Sequence, residues 1–360
     1  WMRSKVHRRG MPTEFTPGPD PLDVSLHIHL ATDLAVAVPY LLGFHPAESL
    51  VVVGMQRRGV LVTARIDLAD ATPSDPTEVA PSALIETVAA LARAGADEIV
   101  GVVYSGRTVR IRRMPHRPVV RALGAAVEQH GMGLLDVLVV RGNRCWSFIC
   151  IDMGCVACSN GGDRIDDRGS PFAAAATYHG LVALPSRADV VALLEPLPDV
   201  DRERLAPSIA QHENATVQAA IDGHAQRSER AVKRALFAAA RASDNGEPPV
   251  SDERVARFGV ALSSPSIRDA IWIAIDNRRI DGRALWRDLS RRLPSPYDAA
   301  TLFLCGWAEW RAGNGVLAGI AAERAIHSDP GYSAADLLLA ALGHGVDPHR
   351  LPRLRASHSA

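Results

Sequence analysis

SLVVVGM at residues 49–55 and VLVTARIDL at residues 60–68, separated by the polar QRRG, set the architecture of the first half of the chain. Each is an apolar run of strand length rich in β-branched residues, and the short gap ending in glycine suits a hairpin loop. The two runs are predicted to pair antiparallel. Upstream, residues 24–30 read as another strand. Thr32 and Asp33 then supply an N-cap and an early acidic residue for a helix through Leu42, which Gly43 closes before Pro46 re-aims the chain.

Downstream the pattern becomes αβ. Residues 76–94 carry apolar side chains at Val79, Ala83, Val88, Leu91 and Ala92, a helical stripe stopped by Gly95 that feeds a strand at 98–104. Residues 118–130 repeat the idea, with Gly131 as stop and a strand at 134–140; Gly142 and Asn143 then turn the chain into 144–151. Crossovers favour parallel neighbours and tight turns force antiparallel ones, so a mixed sheet flanked by helices is predicted. The expected organisation is a disordered tail at 1–20, an α/β domain at 21–197, an all-α domain at 198–348 and a disordered tail at 349–360.

Beyond Pro196 the strand signal ends and Ala, Arg, Leu and Glu dominate, with GEPPVS at 246–251 as a breaker. Taking Pro330 as the closing proline of a tetratricopeptide-type unit puts Gly306, Ala318 and Ala325 where two antiparallel helices cross closely, and Gly313 at the turn. Trp307, Trp310, Leu317 and Ile326 can fill the flanking grooves, and another helix is expected from Tyr332 to Leu342. A plain helical bundle with the same spacing is the alternative.

The chain has 360 residues with 40 basic and 40 acidic side chains, so no global positive field draws it to nucleic acid. The basic stretch RTVRIRRMPHR at 107–117 is confined to one strand and turn. The longest uncharged apolar run, Leu34 to Phe44, is broken by Pro39 and falls short of the roughly 20 residues a membrane span needs. Arg3, Lys5, Arg8 and Arg9 are followed by proline-rich sequence where a secretory leader has an apolar run, so export is not expected. Three of five cysteines fall at Cys150, Cys155 and Cys158, unlike a secreted disulfide framework, and a reducing cytoplasm fits. The two-residue spacing of Cys155 and Cys158, with Cys150 as a third sulfur, suits a structural zinc but lacks a fourth ligand; inert loop thiols explain the cluster equally.

Several residues carry candidate chemistry. GFHPAES at 43–49 combines Phe44, His45, Glu48 and Ser49 with a glycine and a proline that fix the backbone between a helix and a buried strand. It is a ligand-binding loop or a rigid element setting strand register. Arg65 and Asp67 share one face of the second hairpin strand, where they can hold one ligand or pair with each other. Ser186 and Arg187 open a short helix as an anion entrance, or Ser186 is simply its N-cap. Walker, nucleophile-elbow, zincin and dinucleotide fingerprints are absent from the sequence.

DLAVAVPYLLGFHPAESLVVVGM at 33–55, followed by TARIDL at 63–68, resembles an actinobacterial family catalogued as a domain of unknown function, number four-one-nine-two. The residues carrying the resemblance are Asp33, Leu34, Pro39, Leu41, Leu42, Gly43, Phe44, Pro46, Ser49, Leu50, Val51, Arg65, Asp67 and Leu68. It extends over most of Leu22 to Pro348 and implies an actinobacterial cytoplasmic protein. The family's cysteine-cysteine-proline run is replaced here by Cys155-Val156-Ala157-Cys158-Ser159, and no catalytic residue carries over.

Two functions follow from the residues. One is a non-enzymatic ligand- or protein-binding adaptor, with a pocket near Phe44, His45 and Arg65 and a helical C-terminal region that presents a groove to a protein partner. The other is an enzyme of small-molecule metabolism using Asp33, His45, Glu48, Arg65 and Asp67 as its polar set.

Overall fold

The computed structural model describes residues 31–355 apart from 58, 76, 110–114, 149–160, 167–168 and 179–180. The strand expected at 24–30 and the Cys150, Cys155, Cys158 cluster lie outside the described residues.

Helix α1 (Ala31–Leu42) leads to the hairpin β1 (Ser49–Gln56) and β2 (Gly59–Asp67), as the two apolar runs predict. Then follow α2 (Ser82–Ala94), β3 (Glu98–Tyr104), α3 (Arg117–Gln129), β4 (Gly133–Arg141), β5 (Arg144–Ser147) and the short β6 (Asp163–Arg164). The six strands form one mixed sheet in the order β2-β1-β3-β4-β5-β6. Only β3 and β4, joined by the α3 crossover, run parallel; the other neighbours are antiparallel. Helix α2 starts at Ser82, later than its apolar stripe suggested. Before it, the Asp75 carboxylate accepts from the Thr77 amide at 2.7 Å and that of Glu78 accepts from the Ser74 amide at 2.7 Å. Such local side-chain bonds offer the backbone an alternative to the first helical turn.

The central strands are buried on both sides. On one face Leu50, Val52, Val103 and Val139 pack under Leu84 and Val88 of α2 and Leu123 of α3. On the other, Val51, Val53, Val102 and Leu138 meet Leu34 and Val38 of α1 in a core that continues without a break into the helical half. The Tyr104 hydroxyl adds a tie to the Ala35 carbonyl of α1 at 3.4 Å.

That half begins with α4 (Pro171–Tyr178), α5 (Arg187–Ala192), α6 (Asp199–Glu203) and α7 (Ala206–Ile221). It continues through α8 (Ala225–Asp244), α9 (Asp252–Leu262), α10 (Pro265–Asp276) and α11 (Arg283–Arg292). It ends with α12 (Asp298–Arg311), α13 (Gly315–Ser328) and α14 (Ser333–Gly343). Ser186 caps α5, its hydroxyl accepting from the Asp189 amide at 3.3 Å. Helix α12 is enclosed on all sides, every residue from Asp298 to Trp310 being buried. Gly313, at φ 86°, turns the chain from α12 into α13. A methyl group at Gly306 would lie 3.1 Å from the Ala318 carbonyl and 3.0 Å from Leu338, so α12 meets α13 and α14 closely at this glycine, while the tetratricopeptide-type repeat itself is not shown. Among the described residues no helix is long and apolar enough to cross a membrane.

The segment after α14, assigned to a tail from residue 349, is bonded as far as Leu354. The Leu354 amide donates to the Asp276 carboxylate at 2.7 Å, and the Asn277 side-chain amide donates to the Leu354 carbonyl at 3.0 Å. Gly345 approaches α2 so closely that a Cβ there would lie 2.8 Å from the Ala90 carbonyl, which joins the end of the chain to its first half.

Gly101 of β3 admits α3: a Cβ would sit 2.7 Å from Leu123 Cδ2 and 3.3 Å from Val137 Cγ1. Overpacking of this kind costs ~1–3 kcal/mol. Gly101→Ala is expected to lower the urea midpoint accordingly, with the slope of the transition unchanged.

Candidate functional site: a polar sheet end and a cleft beside the helical half

The hairpin register brings Glu48, Ser49, Arg65 and Asp67 to one end of the sheet. Ser49 pairs across the strands with both Asp67 and Tyr104, and the Leu68 amide donates to the Glu48 carbonyl at 3.0 Å. Arg65 donates to Asp67 at 2.5 Å. Glu48, held at φ 40°, accepts from the Gly106 amide at 2.7 Å and from the Ser105 hydroxyl at 3.4 Å. Arg141 donates to the Gly106 carbonyl at 3.0 Å. Ser49 Oγ is buried and has no hydrogen-bond partner.

The other candidates go elsewhere. Phe44 is 1% exposed, packs in the core and bridges to Leu184. His45 is exposed, with its amide on the Leu184 carbonyl at 2.9 Å. Asp33 lies in the first turn of α1, and Arg187 is the exposed first residue of the six-residue α5. The sequence reading missed Ser105, Gly106, His116 and Arg141. The one visible signal was a Ser-Gly pair directly after an apolar strand, because the ends of β3 and β4 meet only once the α3 crossover has formed.

His116 takes φ 63° at the start of α3. Burial holds its imidazole below the ordinary value and the charge of Arg107 lowers it further, while Glu48 pulls it back up. Glu48→Gln removes the opposing charge, so the His116 titration midpoint followed by NMR is expected to fall below that of the unmodified protein; an unchanged or raised midpoint would show that Glu48 does not act on it.

A cleft of about 840 Å³ opens between the two halves. Its apolar wall comes from Tyr40, Leu42 and Gly43 at the end of α1, Leu184 beyond α4, and Val190 and Leu193 around α5. Opposite stand Arg278, Arg283, Arg287 and Arg311 from α10–α12 and their turns, with Asp244 and Asp281 also lining it. Gly43 of the GFHP bend thus reaches the cleft while the neighbouring Phe44 faces the core.

Two buried carboxylates organise the arginines. Glu309 of α12 is 0% exposed; it accepts from Arg287 Nε at 3.0 Å, from Arg287 Nη2, and from the Asn314 side-chain amide at 2.6 Å. Asp276 is 1% exposed, forms an ion pair with Arg311 Nε at 3.1 Å and accepts a hydrogen bond from Trp307 Nε1 at 3.3 Å. Burial pushes the Arg311 guanidinium below its ordinary value; Asp276 opposes this, and Arg353 and Arg278 reinforce it. Removing one partner of such a buried pair costs about 3–5 kcal/mol because a charge is left uncompensated. Asp244 accepts from the amides of Asp281 and Gly282 at 3.1 and 2.7 Å and so fixes the turn that begins α11.

Among the described residues no three His, Cys, Asp or Glu side chains are grouped to hold a metal. Burial pushes the Cys145 thiol up to about 12 and that of Cys305 higher still, so both remain protonated and unreactive at neutral pH.

No curated protein and no solved structure matches the chain. A family profile does, over residues 32–349, which span α1, the whole sheet and the helical half through α14. By that match, covering the polar sheet end and both walls of the cleft, the chain belongs to the family described as Domain of unknown function (DUF4192).

Proposed function

We propose that the protein is a non-enzymatic binding protein whose small-molecule ligand occupies the cleft between sheet and helical half. The observation that carries this reading is the cleft itself. Its volume of about 840 Å³ falls within the roughly 300–1,000 Å³ range of ligand sites, and its lining combines apolar side chains with four arginines, two of them held by Glu309. The enzyme alternative has less support. Arg65 is engaged by Asp67 and Glu48 by Gly106 and Ser105, while His45 is exposed and Asp33 belongs to another element.

Ala284 is exposed and lines the cleft, so Ala284→Trp fills the opening without disturbing the core. Native mass spectrometry of protein purified under non-denaturing conditions is expected to show a bound small molecule that the variant lacks. Equal retention by both, or no bound molecule in either, would overturn the reading.

A protein partner for the helical half is supported by Val217 and Ile221, 58% and 73% exposed and one turn apart on α7. Ile221→Asp is expected to abolish capture of that partner from host lysate without lowering the melting temperature; undiminished capture would rule this face out.

A further inference from the structure

Arg283 and Arg287 lie four residues apart on α11, where two like charges on one face repel. Glu309 brings them together. Its Oε1 takes Nε and Nη2 of Arg287, and its Oε2 lies 3.9 Å from Arg283 Nη1 while accepting from Asn314 at 2.6 Å. Arg283 Nε is held by Asp281 at 2.8 Å. Both guanidiniums are therefore held in place, Arg287 by Glu309 and the Cys305 thiol and Arg283 by Asp281, and Arg283 Nη2 has no acceptor among the described residues. Donors whose orientation is already set lose little entropy on binding, and a guanidinium fork matches the two oxygens of a carboxylate. Across the cleft Leu42, Leu184, Val190 and Leu193 offer no hydrogen-bonding side chain, and Leu317 and Ile280 extend the apolar surface.

We infer that the cleft takes an amphipathic monoanion, with a carboxylate head on Arg283 and Arg287 and an aliphatic body along Leu42, Leu184 and Leu193. The charge count sets the valence of the head. Three lining arginines, Arg283, Arg287 and Arg311, are offset by three carboxylates, Asp281, Glu309 and Asp276, so these donors carry little of the cationic excess a polyphosphate would need. This inference rests on the ligand-binding reading and names the ligand's chemistry.

Isothermal titration calorimetry with decanoate, decanol and decylammonium separates the two claims. Decanoate is expected to bind, decanol to bind at least tenfold more weakly and decylammonium not at all, since a charge-assisted hydrogen bond is worth about a factor of ten or more. Arg283→Gln, a surface-side substitution that leaves Arg287 on Glu309, is expected to weaken decanoate about tenfold and leave decanol unchanged. Ala284→Trp is expected to abolish both. Decanoate and decanol binding with equal affinity, both lost in Ala284→Trp, would overturn the monoanion assignment and leave the cleft a binding site. Binding of decanoate that survives Ala284→Trp, or absence of binding by all three probes, overturns the assignment; loss or retention of the copurifying molecule in Ala284→Trp then judges the binding reading separately.

Discussion

The central strands of this protein are apolar on both faces, and that constraint organises everything around them. Leu50 and Val52 of β1 point one way and Val51 and Val53 the other, all 0% exposed, so no arrangement that leaves either face in water is stable. Helices α2 and α3 cover one face. The other is only partly covered by α1, and the helical half completes the cover in a continuous core that runs from Val51 to Phe303. The two halves are therefore held together by the same apolar contacts that stabilise the sheet.

The cleft is a consequence of that docking. Where the end of α1 bends away at Gly43, the sheet-side wall stays apolar, while the helical side presents the ends of α10 and α12 and the start of α11. Helix α12, enclosed on every side, delivers Glu309 to this junction from within the bundle. A buried carboxylate is tolerable only when its oxygens are occupied, and Arg287 and Asn314 occupy them. The same bonds that satisfy Glu309 aim the guanidiniums, so core packing and the polarity of the cleft are coupled. The segment through Leu354 occupies the second oxygen of Asp276, the carboxylate that pairs with Arg311.

Much of the architecture was legible in the residues. The hairpin of β1 and β2, the α3 crossover, the glycine stops at Gly95 and Gly313, and the Ser186 cap all follow from local chemistry: strand-length apolar runs, helical stripes, positive-φ positions and a hydroxyl reaching a free amide. The late start of α2 was not legible, because Asp75 and Glu78 stabilise turns through contacts no periodicity displays. At the candidate site the legible portion was Glu48, Ser49, Arg65 and Asp67, which strand alternation and the hairpin register place together. His45 and Phe44 share the same seven-residue bend yet face opposite surroundings, one exposed and the other in the core.

Short-range pattern thus determined most of the elements and the two hairpin pairings, β1 with β2 and β4 with β5, because periodicity and turn chemistry act over a few residues. The arginine-lined cleft came from contacts between residues far apart in the chain. Tyr40 and Leu42 share it with Arg287 and Arg311, and nothing in the spacing of those residues marks them as neighbours. Their meeting depends on how the second apolar face of the sheet is buried, a choice made by packing the two halves together and not by any segment alone.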